Sequence, residues 1–173
     1  MSNSAPTDDQ ANIGDQAKAD DQQVPEGFSL FSPPEGFANL VGPLYIAMRG
    51  DVPTIGFRVE ERHCNPAMIC HGGMMMTVMD MAVGMGVVFS SGTKKFVPSV
   101  NLSFDFLKPA PLGAWLESKI DFTEPRRSMG FASGYLMGPD GPVMRANGIC
   151  KILSDDSKSF KTNMTGRIAD QID

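Results

Sequence analysis

"NPAMICHGGMMMTVMDMAVGMG", residues 65–86, decides how this chain is read. Its Met, Val and Ala residues fall at every helical phase. From residue 73 to about 89 the stretch therefore predicts a helix buried on most sides rather than a surface helix. Gly72 and Gly73 stand at its mouth, and one carboxylate, Asp80, stands in its middle. Burying an unpaired carboxylate is expensive, because desolvation disfavours its charged form. The same bias tunes a carboxyl group for work as a base or nucleophile. The plainer alternative is a structural Asp held by an Arg or by a backbone N–H of a neighbouring strand.

On either side of this helix the pattern changes from 3.6 to 2. Leu44–Met48 and Thr54–Arg62 read as a hairpin turning at Gly50-Asp51. In "SVNLSFDF", residues 99–106, the even positions Val100, Leu102, Phe104 and Phe106 are apolar and the odd ones polar, predicting a strand with one buried face. "AWLESKIDF" alternates again, with Leu116, Ile120 and Phe122 on one face, and two further strands flank the turn "GPDGP". Short connections imply antiparallel pairing. One all-apolar helix needs cover, so the expected fold class is α+β, a curved antiparallel sheet wrapped around a long central helix.

Composition sets the outer limits. The 173 residues suit one domain. The net charge is −5, of which residues 1–23 carry −4 through Asp8, Asp9, Asp15, Asp20 and Asp21 against Lys18. A near-neutral body offers no surplus of Lys or Arg for nucleic acid. Residues 1–23 lack aromatics and read as a disordered acidic tail, 24–41 as a Pro/Gly-rich N-terminal arm with a short helix around Phe37–Val41, 42–154 as the folded domain, and 155–173 as a polar tail. The N-terminus shows no secretory signal. The apolar run 74–89 is shorter than the roughly 18 residues of a membrane span and contains Asp80. Cys64, Cys70 and Cys150 are an odd set without CxxC spacing, which argues against a disulfide framework and fits a reducing cytoplasm.

Asn65, then His71-Gly72-Gly73 six residues on, then Asp80 nine residues after the His, followed by "FVPSVNLSFDFLKPA", together resemble a hotdog-fold thioesterase of the PaaI-like group, related to the 4-hydroxybenzoyl-CoA thioesterases. The resemblance covers roughly residues 42–153. It implies hydrolysis of acyl-CoA thioesters by a homodimer, or by a tetramer built as a dimer of dimers. It also implies that Asn65 and the Gly72/Gly73 backbone act on the thioester carbonyl, while Asp80 and Ser99 act from the partner subunit. The family usually carries Gly where this chain has Met68, so the Asn65 loop is expected to differ in shape if that Gly serves a positive-φ turn.

Physical reasoning on the same residues points the same way. The first N–H groups of a helix lack internal partners and carry the positive end of its dipole. Glycines there admit a substrate oxygen, and a preorganised donor to an oxyanion is worth about 3 kcal/mol. The alternative is that Gly72-Gly73 only lets the helix pack closely. Gly72 and Asp80 are eight residues apart, roughly 12 Å along one axis. One thioester carbon cannot touch both, so a shared site needs two antiparallel helices related by a two-fold axis.

His71 has three candidate roles: orienting the thioester, bonding the Asn65 loop, or capping the helix. No GxSxG elbow accompanies it. The spacing of His63, Cys64, Cys70 and His71 does not suit a zinc site, and no metal or cofactor is expected, CoA being part of the substrate. Lys108, Arg126 and Arg127 are candidates for the CoA phosphates, against the alternative of solvated turns. Trp115 and the helix methionines read first as core, some of the latter as an adaptable acyl pocket. Two other functions stay open at this level. One is a hotdog dehydratase or hydratase using His71 with Asp80, and the other a non-catalytic acyl-CoA-binding protein.

Overall fold

The computed structural model describes residues 24–32 and 36–153. The segments 1–23 and 155–173, read above as tails, lie outside the described residues. The elements in chain order are β1 (Ser29–Phe31), α1 (Phe37–Leu40), β2 (Leu44–Arg49), β3 (Val52–Arg58), α2 (Gly72–Ser91), β4 (Ser99–Phe106), β5 (Trp115–Pro125), β6 (Met129–Gly138) and β7 (Gly141–Lys151). The strands form one seven-stranded sheet in the order β1-β2-β3-β5-β6-β7-β4, antiparallel throughout. Helix α2 lies against β3, β5, β6, β7 and β4. This is the expected α+β arrangement of a single long helix covered by a sheet.

Burial, not local propensity, holds α2 together. Glycine in a helix interior costs up to about 1 kcal/mol relative to Ala, and α2 contains Gly84 and Gly86. Against that, Val78, Met79, Val83 and Val87 are completely buried, and a fully buried side chain of this size stabilises by about 1.5–3 kcal/mol. The helix is long and apolar enough to cross a membrane by length and composition, contrary to the sequence expectation, but most of it is buried by its own sheet. One stripe stays less covered: Gly73, Met76, Thr77, Asp80 and Gly84. The large core lies between α2 and the sheet around Leu44, Ile55, Phe57, Leu116, Leu136 and Met144. A smaller one, Val83, Val87, Val88, Val97, Ala132 and Cys150, lies toward the helix C-terminus.

Three strand expectations need correction. The strand expected to reach Arg62 ends at Arg58, and Glu61–His63 form a 3-10 turn. That turn is fixed by a side chain, since His63 Nδ1 accepts from the Glu60 N–H at 3.0 Å. In β5 the register shifts between Ile120 and Phe122. Asp121 is the extra residue, so Phe122 moves to the outer face and is exposed, instead of joining Leu116 and Ile120. In β4 the apolar face is not fully buried, Val100 being 59% and Phe106 53% exposed. There too a bulge intervenes, between Ser99 and Asn101.

The arm is stitched to the body. Strand β1 extends the sheet beyond β2, and Phe28 packs edge-on against Trp115 with ring centroids 5.1 Å apart. His63 Nε2 lies 3.0 Å from the Val41 carbonyl. With Nδ1 accepting, the neutral ring carries its proton on Nε2 and donates it there. Burial lowers the His63 pKa below the usual 6.5. The Val41 carbonyl and Glu60 oppose that shift and Arg62 adds to it. The unfolded chain therefore takes up this proton first. The stability His63 contributes is present above pH 6.5 and is lost as the pH falls through its folded-state value. Thermal unfolding followed from pH 7.5 down to pH 5 is expected to show a falling midpoint, with the slope reduced in His63→Gln.

Candidate active site

The loop before α2 is a tight, hydrogen-bonded excursion. Cys64 and Cys70 face each other across an antiparallel bridge, the Asn65 N–H donates to the Ile69 carbonyl at 2.9 Å, and the His71 N–H donates to the His63 carbonyl at 2.7 Å. Inside it, Asn65 Oδ1 accepts from the Ala67 N–H at 2.9 Å, a local side-chain turn typical of Asn. The Asn65 NH2 donors meet no acceptor among the described residues.

Met68 is the residue with φ +56°. The loop thus holds at Met68 the left-handed turn a glycine would supply. That conformation costs a non-glycine residue about 1–2 kcal/mol, and Met68 is half exposed, so its side chain recovers little by burial. Met68→Gly is expected to stabilise the fold by about 1 kcal/mol, after allowing for glycine's greater unfolded-state entropy. Denaturant unfolding with an unchanged slope is the check.

His71 is the N-cap of α2, and its Nδ1 accepts from the Gly73 N–H at 2.9 Å. This separates the two glycines. The Gly73 N–H is engaged by the cap, while the Gly72 N–H has no acceptor among the described residues. The cap also fixes the neutral tautomer of His71, leaving the proton on Nε2 of an exposed ring. Gly72 also packs closely, because a Cβ there would stand 3.0 Å from the half-exposed Phe106 ring and would push it aside by a few tenths of an ångström. Sequence reasoning took Phe106 only as core, and no local signal marks it as the wall of the helix mouth.

Cys70, beside His71, is no nucleophile. It is buried, and burial, followed by the neighbouring Cys64, pushes its pKa up to about 12. Its Sγ donates to the His71 carbonyl at 3.8 Å rather than to the ring. His71 and Asp80 do not meet within the chain either, standing on different turns of the helix.

Asp80 is half-buried on the open stripe of α2, and its partner is a hydroxyl: Ser99 Oγ donates to Asp80 Oδ1 at 2.5 Å. Neither an Arg nor a strand N–H takes that place among the described residues. The β4 bulge explains how Ser99 gets there. Ser99 pairs with Cys150 and Asn101 with Ile149, so Val100 is the extra residue. Ser99 therefore shares the helix-facing side with Leu102, Phe104 and Phe106, although simple alternation places it on the opposite face.

The candidate phosphate ligands lie at two ends. Lys108 follows β4 near the helix mouth, donates to the Asp140 carbonyl at 2.9 Å, and borders a cleft of about 380 Å³ with Ile69, Cys70, Met75 and Phe106. Arg126 and Arg127 sit in the β5–β6 turn, toward the other end of α2, with Arg126 paired to Glu124 at 3.1 Å. The chain does not bring these cations together. A second cavity, about 330 Å³, opens beside the mouth between α1 and α2, with Phe37, Leu40, Val41, His71, Met74 and Thr77 among its lining. The arm's part in that wall was not legible in the sequence.

Comparison with known proteins gives this geometry a family. The profile described as "Thioesterase superfamily" matches residues 68–136. A Pseudomonas aeruginosa protein named "Putative esterase PA0474" is 30% identical over 127 residues, which are 73% of this chain and 95% of that protein. Among solved structures, the E. coli PaaI protein of the phenylacetic acid degradation operon superposes with a TM-score of 0.58 at 19% identity, covering 66% of this chain and 86% of that one. A thioesterase-titled protein from Streptococcus pneumoniae, solved with coenzyme A, gives 0.57 at 19% identity, covering 65% and 87%. With a relative matched along nearly its whole length and the same sheet-and-helix architecture, the chain belongs to the thioesterase superfamily with the hotdog fold, a hydrolase of thioesters.

Proposed function

We propose that the chain hydrolyses acyl-CoA thioesters in the cytoplasm, as a two-fold dimer with two identical sites shared between subunits. The observation that carries this reading is the Ser99–Asp80 pair, 2.5 Å apart, on the one stripe of α2 that its own sheet leaves open. It lies eight residues, roughly 12 Å, from the free N–H of Gly72 on the same helix. Antiparallel α2 helices from two subunits set each mouth beside the other subunit's Asp80. The glycines on that stripe support close packing of this kind. A Cβ at Gly84 would meet nothing within 4 Å, and one at Gly73 would meet only its own His71, so nothing inside the chain demands a glycine at either place.

In this arrangement the Gly72 N–H polarises the thioester carbonyl and holds the oxyanion that forms, and Asn65 and the Nε2–H of His71 place the thioester. The partner subunit's Asp80 takes a proton from water as the water adds to the carbonyl carbon. The tetrahedral adduct then collapses, the C–S bond breaks, and the proton goes to the departing CoA thiolate. Attack by the carboxylate itself, through an anhydride that water later opens, uses the same atoms. Ser99 gives its proton to Oδ1 and leaves Oδ2 for the water or the carbonyl carbon. The same two-fold axis sets Lys108 of one subunit at the same end as Arg126 and Arg127 of the other, an arrangement suited to the CoA phosphates.

Thiol release measured with a panel of aliphatic and aromatic acyl-CoAs tests the reaction. Turnover of at least one member, with CoA and free acid as products, is expected, and hydration or binding without thiol release would overturn the reading. For the assembly, Gly84→Leu is expected to leave the chain folded while shifting sedimentation from dimer toward monomer, because the new side chain occupies the helix contact.

A further inference from the structure

Helix α1 has two unlike sides. Ala38 and Val41 pack against the large core, and His63 Nε2 donates to the Val41 carbonyl at 3.0 Å, tying the turn to the loop that precedes α2. Phe37 and Leu40 lie on one side of the turn, as residues three apart in a helix do, and are 65% and 75% exposed. Anchoring the arm does not require them, because Ala38 and Val41 do that. Both instead line the cavity of about 330 Å³ beside the helix mouth, with Met74 and Thr77 of α2 and its cap His71.

The polar side chains of this cavity are mostly engaged within the chain. Thr77 Oγ1 donates to the Gly73 carbonyl at 2.9 Å. His63 uses both ring nitrogens, one for the Glu60 N–H and one for the Val41 carbonyl, each at 3.0 Å. Arg62 Nε donates to Glu60 Oε2 at 2.9 Å, which balances its charge. His71 differs, because its Nε2–H stands at the mouth and meets no acceptor among the described residues. An apolar body with a polar group placed at the opening is the usual make-up of a small-molecule site. The charges say which half of a thioester enters it. The separate cleft that Met75 and Phe106 line carries Lys108, a cation suited to the phosphates of CoA. The cavity beside Phe37 and Leu40 has no unmatched charge in its lining, so the uncharged end of the molecule is left for it.

We propose that the cavity between α1 and α2 receives the acyl group, and that Phe37 and Leu40, brought from the arm, select uncharged aliphatic or arylalkyl chains. The inference rests on the reading of the Gly72 N–H as the place of the thioester carbonyl, and adds what lies beyond it. With the carbonyl there and His71 beside it, the chain runs between Met74 and the two arm residues. Such contacts are non-directional, so affinity follows the apolar area buried.

The test is calorimetric titration with a series of S-alkyl-CoA thioethers, from S-methyl to S-hexyl, which have no carbonyl and cannot be hydrolysed. In the wild-type chain the Kd is expected to fall about two- to fourfold per added methylene until the cavity is full. Phe37→Ala/Leu40→Ala is expected to raise the Kd of S-hexyl-CoA about tenfold and to leave that of S-methyl-CoA unchanged. Both positions are exposed, so the fold is retained. Leu40→Lys is expected to reverse the preference, binding a thioether of equal length that ends in a carboxylate more tightly than S-hexyl-CoA. An unchanged slope in the double variant, an equal loss for the S-methyl and S-hexyl compounds, or no binding of any thioether would overturn the proposal. So would a shift of the double variant from dimer to monomer on sedimentation, which would give these side chains to the subunit contact instead. The series needs no turnover. A chain that keeps the slope yet hydrolyses no acyl-CoA therefore sinks the thioesterase reading and leaves the acyl cavity standing, and hydrolysis with a flat slope does the reverse.

Discussion

Asp80→Asn is expected to lower kcat by about 10²–10⁴-fold, the range associated with loss of a positioned general base, with little change in the unfolding midpoint. The amide retains an oxygen that can accept from Ser99, so the contact now measured at 2.5 Å has a replacement. Asp80 is only half-buried in the chain, and substitutions away from the fully buried core usually change stability by less than about 0.5 kcal/mol. The variant therefore separates the site from the fold. Full activity across an acyl-CoA panel would remove Asp80 from the chemistry. A collapse in stability would make it a structural carboxylate after all.

The second large effect is a restoration. Asp80→Asn chains and Asn65→Ala/His71→Ala chains are each expected to be nearly inactive as homodimers. A heterodimer of the two, purified through different tags, is expected to regain about half the activity of the wild-type dimer, because a two-fold assembly then holds one intact site and one doubly defective one. The intact site joins the mouth of the Asp80→Asn chain to the Asp80 of its partner. If mouth and carboxylate served each other within one chain, the heterodimer would be as inactive as its parents. The double variant gives up the His71 cap on the Gly73 N–H, at about 1 kcal/mol, so its folding is checked alongside.

The long helix was legible because apolar residues at every phase, opened by two glycines, leave few other solutions, and a sheet followed as the only available cover. The motif residues could be named from the family resemblance and from the chemistry of a helix mouth. Their relations could not, and the reasons are long-range. Whether Ser99 faces the helix depends on a bulge set by pairing with β7, fifty residues away in sequence, and local alternation puts it on the wrong face. Phe122 was misplaced for the same reason by the bulge in β5. The different standing of Gly72 and Gly73 depends on which way the His71 ring folds back. At Met68 the positive φ is held by hydrogen bonds on both sides of the turn, from Met68 N–H to Asn65 and from Asn65 N–H to Ile69, which outweigh one residue's dihedral preference.

The three-residue strand β1 has a consequence for how far the protein can grow. A sheet offers two unsatisfied margins, and each is a template for another chain. On one side β1 covers β2 and ends the sheet in a short stub that presents few free peptide groups. On the other, β4 is eight residues long and alternates apolar with polar side chains. With that margin closed, sheet-to-sheet pairing has only the β4 edge left to use. The arm thus closes the β2 margin of the sheet to edge-to-edge pairing.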